Sequence, residues 1–183
     1  VNRSEKLGKY IDPTRFQNST LRYSPPEDFP AYMAGQIGRA EVMRVWITLD
    51  EYWDYRTGEF YPDYDIGVAR YPAEELHYPY DWKNIVPAPS GTRFKAYLTS
   101  HAKEADELLL NVRRLEREVS DGVITYDQYE TIFEKSVEYC KERAPNIRYI
   151  ECCNEVDIRS FGLLNAEEYV KIYLCAHRAV KRL

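Results

Sequence analysis

Asn154 and Glu155 stand at the downstream end of a run of β-branched and apolar residues, 147–153, just before a loop and a long amphipathic helix. Residues 147–157 read Ile-Arg-Tyr-Ile-Glu-Cys-Cys-Asn-Glu-Val-Asp. In parallel α/β sheets and barrels the C-terminal end of a strand is where chemistry is placed, so a carboxyl there is a candidate for acid–base work. On spacing alone, Glu155 reads first as a strand-end carboxylate that caps a turn or pairs with Arg159.

Arg44 is the second candidate, because the strand-like run 41–49 is otherwise apolar around it. A buried guanidinium needs anionic partners. Arg44 therefore either orients carboxylates at the mouth of the sheet or simply pairs with a neighbouring acid. Aromatic residues make up 14% of the chain, with 17 tyrosines, and many fall in residues 50–89 among prolines and acids. A loop of that length following a strand suggests a functional excursion on the face of Glu155, and its aromatic density argues against disorder.

The cysteines, Cys140, Cys152, Cys153 and Cys175, have neither zinc spacing nor the density of a disulfide scaffold. Cys152 and Cys153, as strand neighbours, are expected to point to opposite faces as two separate structural thiols. His77, His101 and His177 stand apart from one another and read as structural or surface residues, so no metal site is expected.

These residues need elements to position them. Residues 27–39 have helical spacing, with Gly38 near the stop, and 41–49 follow as a buried strand. Helical spacing returns over 90–107, then a short apolar strand at 108–112 and a charged turn at 113–122. Thr125 with Gln128 makes a capping box for a helix whose stripe is Tyr129, Ile132, Phe133, Val137 and Cys140. The strand 147–153 leads to a last helix opened by Asn165 with Glu168. That helix is expected to bury Tyr169, Ile172, Tyr173, Ala176, Ala179, Val180 and Leu183. From residue 27 the order is α, β, long loop, α, β, α, β, α, which predicts right-handed βα units and a parallel sheet. The sheet is either doubly wound or closed into a barrel, and no Gly-x-Gly-x-x-Gly or Gly-x-x-x-x-Gly-Lys loop supports a nucleotide-binding version.

At 183 residues one domain is expected, residues 1–183. A net charge of −5 gives no electrostatic footprint for nucleic acid or for an anionic membrane surface. No apolar run approaches the roughly 20 residues that span a bilayer. The chain starts at Val1 and stops at Leu183 within a helical pattern, so both ends are expected to be cut.

The strand ending in Asn-Glu, with a helix about ten residues on, resembles the acid/base strand of the retaining glycoside hydrolases of clan A. Their usual motif is Asn-Glu-Pro at the end of the fourth barrel strand; here it stands as Tyr149-Ile150-Glu151-Cys152-Cys153-Asn154-Glu155-Val156. Upstream, Val42-Met43-Arg44-Val45-Trp46 looks like the second strand of the same barrels, above all of glycoside hydrolase family 39, the β-xylosidase and α-L-iduronidase family. In that family an Arg-x-His segment precedes a long substrate-side loop. Arg44 matches the Arg, Trp46 replaces the His, and Val156 replaces the Pro.

The resemblance implies an α/β fold, the N-terminal half of a (β/α)8 barrel. Strand 1 would lie in the N-terminal segment, strand 2 at 41–49, strand 3 at 108–112 and strand 4 at 147–153. It implies that Glu155 is the general acid/base, kept protonated by a partly buried setting, and that Asn154 bonds the sugar 2-hydroxyl. Arg44 and Trp46 would line the sugar site, and Trp53, Tyr55 and Trp82 are candidates for stacking on the C–H faces of a carbohydrate. The nucleophile of such enzymes sits on the seventh strand, outside this segment; no cofactor is implied. The alternatives are a carbohydrate-binding barrel without a working carboxylate pair and a structural α/β domain, and a second Glu following a strand beyond residue 183 would discriminate them. Open edges on strands 1 and 4 lead us to expect that 1–183 alone forms a homo-oligomer or is poorly soluble, which sedimentation would reveal. The compartment stays open between cytoplasm and secretion.

Overall fold

The structure is a computed structural model that describes residues 15–18, 29–68, 91–157 and 162–183. Along the chain the elements are β1 (Phe16–Asn18), α1 (Phe29–Ile37), β2 (Ala40–Thr48), α2 (Leu49–Tyr52), β3 (Trp53–Asp54) and β4 (Glu59–Phe60), followed by α3 (Phe94–Lys103), β5 (Ala105–Arg113), α4 (Glu116–Ser120), α5 (Tyr126–Arg143), β6 (Ile147–Cys152) and α6 (Ala166–Lys181). The main sheet is parallel, in the order β1-β2-β5-β6, so each strand lies beside the one before it. A doubly wound sheet reverses its strand order at a switch point. No such reversal occurs among the described strands. The helices follow the same progression, α1 against α3, α3 against α5 and α5 against α6.

Period-two alternation divides the sheet into two unlike faces. Met43, Val45 and Ile47 of β2 and Leu108, Leu110 and Val112 of β5 join the hydrophobic core. On the opposite face Leu109 is accompanied by Arg44, Trp46, Asn111 and Arg113, which are polar or amphipathic, and all five lie outside that core. In β6 an extra residue, Arg148, interrupts the pairing between Leu108–Ile147 and Leu109–Tyr149. Such a bulge resets the alternation. Ile150 and Cys152 therefore pack on the core while Glu151 turns to the polar face.

Both predicted capping boxes form. Thr125 Oγ1 accepts from Gln128 N at 3.1 Å while Gln128 Oε1 accepts from Thr125 N at 2.8 Å, and Asn165 and Glu168 repeat the pattern at 3.0 and 2.8 Å. The predicted stripe of α5 is buried in full, together with Ser136. Thr125→Ala is expected to destabilise the chain by about 1 kcal/mol, read as a shift in the urea midpoint, by leaving a first-turn N–H without its acceptor.

Several expectations are corrected. The strand placed at 108–112 extends over Ala105–Arg113, because α3 stops at Lys103 rather than running to 107. Arg39 holds that junction, donating to the Lys103 carbonyl, to Ala105 O at 2.5 Å and to Asp106 at 2.7 Å. The first strand, too faint to place by pattern, is β1, paired with Val42–Arg44. The start of the long loop is ordered as α2 and the β3–β4 hairpin, where Tyr52 packs edge-on against Phe60 at 5.7 Å. On α6 Tyr173 is exposed and Cys175 is buried in the core instead, while Leu183 lies exposed beyond the end of the helix, so the apolar stripe is narrower than the spacing suggested.

Candidate active site

The middle of β2 and the C-terminal end of β6 bring the charged residues together. Arg44 reaches from β2 past β5 to β6, where its Nε donates to Glu151 Oε2 at 2.6 Å and its Nη2 to Glu151 Oε1 at 2.8 Å. The same Nη2 donates to Asn154 Oδ1 at 3.0 Å. A bidentate fork of this kind fixes both partners in angle as well as distance. Arg44 thus pairs with a carboxylate of another strand, Glu151, quoted in the motif but given no role by the sequence.

Trp46 lies between two guanidinium groups, with Arg44 Cζ 3.9 Å and Arg113 Cζ 4.7 Å from its ring centroids. It is 7% exposed and its indole N–H has no hydrogen-bond partner among the described residues. Stacked cations attract the ring face and hold the indole rigid. The ring therefore supports the Arg44 fork. Arg44→Met is expected to destabilise the chain by about 1–3 kcal/mol, since Glu151 and Asn154 lose their donor. The double change with Glu151→Met should recover most of that loss in urea unfolding; simple additivity would mean that the pair is not coupled.

Asn154 donates to Glu155 Oε2 at the long distance of 3.5 Å, and Glu155 itself is exposed on a residue with φ of 47°. The partly buried setting expected for its carboxyl is absent, because the turn after β6 carries it outward. The structure brings Arg44, Trp46, Asn154 and Glu155 into one group. Trp53 does not belong to it, being 4% exposed in the core and packed on Phe60 at 6.2 Å. Tyr55 is half-buried beside the same core, and Trp82 lies outside the described residues.

A second group went unforeseen. The charged stretch 113–122 is buried at Arg113, the last residue of β5, and beyond it at Arg114, Glu116 and Glu118. Two successive left-handed residues, Arg114 with φ of 80° and Leu115 with φ of 69°, fold the chain back under the mouth. Glu116 Oε1 accepts the Arg114 backbone N–H at 2.8 Å, and burial raises its pKa. Glu118 is fully buried with no partner from another described residue on either carboxyl oxygen, and burial, with Asp50 and Glu116 nearby, pushes its pKa up to about 8. The available signal was position, since the stretch follows a parallel strand at its functional end.

The two vicinal thiols are also corrected. β6 ends at Cys152, and Cys153 has φ of 67°, so strand alternation no longer applies and the two sulfurs lie 3.3 Å apart. Asn111, fully buried on β5, donates to the Cys153 carbonyl at 2.6 Å and fixes that turn. Among the described residues no group of three or more His, Cys, Asp and Glu side chains could hold a metal ion, and no helix is long and apolar enough to cross a membrane. No protein family, no curated protein and no solved structure matches the chain.

Proposed function

We propose that this segment is the first half of a (β/α)8 barrel that hydrolyses a glycosidic bond with retention of configuration, its nucleophile supplied from outside residues 1–183. Glu155 is the general acid/base and Asn154 the ligand of the 2-hydroxyl. The observation that carries this reading is the Arg44 fork, which ties Glu151 and Asn154 to β2 at the C-terminal mouth of a sheet wound in one direction. A wall-to-wall contact between strands that are not neighbours fits a sheet curling toward closure. Two further features agree with continuation into more βα units. The face of the sheet that carries Arg44, Trp46, Asn111 and Arg113 holds polar and amphipathic side chains of adjacent strands, and α6 exposes Val170, Tyr173 and Leu174 along one side.

Retention needs a carboxyl pair about 5–5.5 Å apart, with the acid protonating the leaving oxygen and then activating water as a base. Glu155, exposed at the mouth, is free to meet a bound glycoside. The test uses the native-length protein that carries this segment, a panel of aryl glycosides, and proton NMR of the first-formed anomer. The retained anomer is expected. The inverted anomer overturns the mechanism, and sugar binding without turnover on any glycoside places the chain with carbohydrate-binding barrels instead.

A further inference from the structure

We propose that Cys152 and Cys153 form a reversible dithiol–disulfide site, closed by a low-molecular-weight disulfide such as oxidised glutathione and reopened by a small thiol. The inference is independent of the glycosidase reading, which gives these sulfurs no role. It starts from their contact at 3.3 Å, which the left-handed Cys153 creates where strand geometry would have parted them. The turn is pinned from both sides. Cys153 N donates to Val112 O at 2.8 Å and its carbonyl accepts from Asn111 at 2.6 Å, so the pair is held in register with β5. Around the sulfurs stand the Tyr129 hydroxyl, 3.9 Å from Cys152 Sγ, and the nearby buried Glu116 carboxyl.

Exposure decides the order of events. Cys152 is half-buried while Cys153 is buried, so Cys152 meets the oxidant first. Its thiolate, having released a proton to solvent, attacks one sulfur of the small disulfide and displaces a thiolate, leaving a mixed disulfide. Cys153 then passes its proton to Glu116 and attacks Cys152 Sγ, displacing the second small thiolate. The two displaced thiolates take up the two protons, and two electrons have moved from the cysteines to the small disulfide. The new bridge spans Cα atoms only about 3.8 Å apart, inside the usual minimum of about 4.4 Å, so it is strained and readily reduced. That favours a switch over a permanent staple, placed immediately before Asn154.

The test treats the native full chain with oxidised glutathione, blocks remaining thiols by alkylation, and cleaves after Arg148 and Arg159. The resulting peptide, residues 149–159, contains Cys152 and Cys153 and no other cysteine. It should emerge unalkylated and lighter by two hydrogens, and reduced glutathione should restore both alkylation sites. Cys153→Ser should stop at a glutathione adduct on Cys152. Phenylarsine oxide, which bridges paired thiols without an oxidant, should bind the wild type at this peptide and neither serine variant. A wild-type peptide that stays doubly alkylated under excess oxidant, or that halts at the Cys152 adduct, overturns the proposal.

Discussion

Glu155→Gln is expected to lower kcat/KM for glycosides with poor leaving groups by about 10²–10⁴-fold, the usual share of a positioned general acid or base. The carboxamide matches the carboxylate in size and can still meet Asn154, so the change removes proton transfer and little else. Selectivity by leaving group then separates the catalytic role from a structural one. A dinitrophenyl glycoside departs without a proton, so its first step should be nearly unaffected, while alkyl glycosides bear the whole loss. Equal rates for both substrates in the variant and the wild type would leave Glu155 as a strand-end carboxylate closing a turn.

Glu118→Gln should make the chain more stable in mildly alkaline solution and remove most of a pH dependence that the parent shows. In the folded chain Glu118 holds its proton up to about pH 8, against an ordinary value of 4.5. Between those two values the unfolded chain has released the proton and the folded chain still binds it. Stability therefore falls as pH rises through that window, is unaffected below it and is fully reduced above it. The magnitude is on the order of 5 kcal/mol at most, comparable with the whole stability of many domains. Glutamine stays neutral throughout, so urea midpoints of the two proteins should diverge steadily from weakly acid to alkaline pH. Parallel curves would show that Glu118 is ionised inside the fold, held by Arg114 against Asp50 and Glu116.

The elements that the sequence displays openly are those decided by neighbours a few positions away. Thr125 with Gln128 and Asn165 with Glu168 announce helix starts because the capping geometry closes within one turn. The near-continuous apolar run of 41–49 announces a buried strand because β-forming residues in sequence favour extended backbone by themselves. The site is written at longer range. Arg44 and Glu151 are 107 residues apart, and nothing local to either names the other. The burial of Glu116 and Glu118 depends on left-handed backbone at Arg114 and Leu115, residue types that seldom adopt it and so carry no turn signal. The same cause hid the contact of Cys152 with Cys153. Trp53 is ambiguous in sequence because an aromatic after a strand can pack inward or outward, and the β3–β4 hairpin turns this one inward.

Pairing each strand only with its predecessor also governs how the chain can assemble. Because β2 and β5 are neighbours and both precede β6, they can pair without waiting for it, and Glu151 can then join an Arg44 already carried on a paired strand. Growth by addition of one βα unit at a time avoids waiting for a distant strand, the slow step in sheets of high contact order. The order also sets where the sheet frays. β1 is held by three residues and β5 is flanked by both β2 and β6 over Leu108–Val112, so backbone amides of that stretch should exchange with solvent last and those of the β1 edge first.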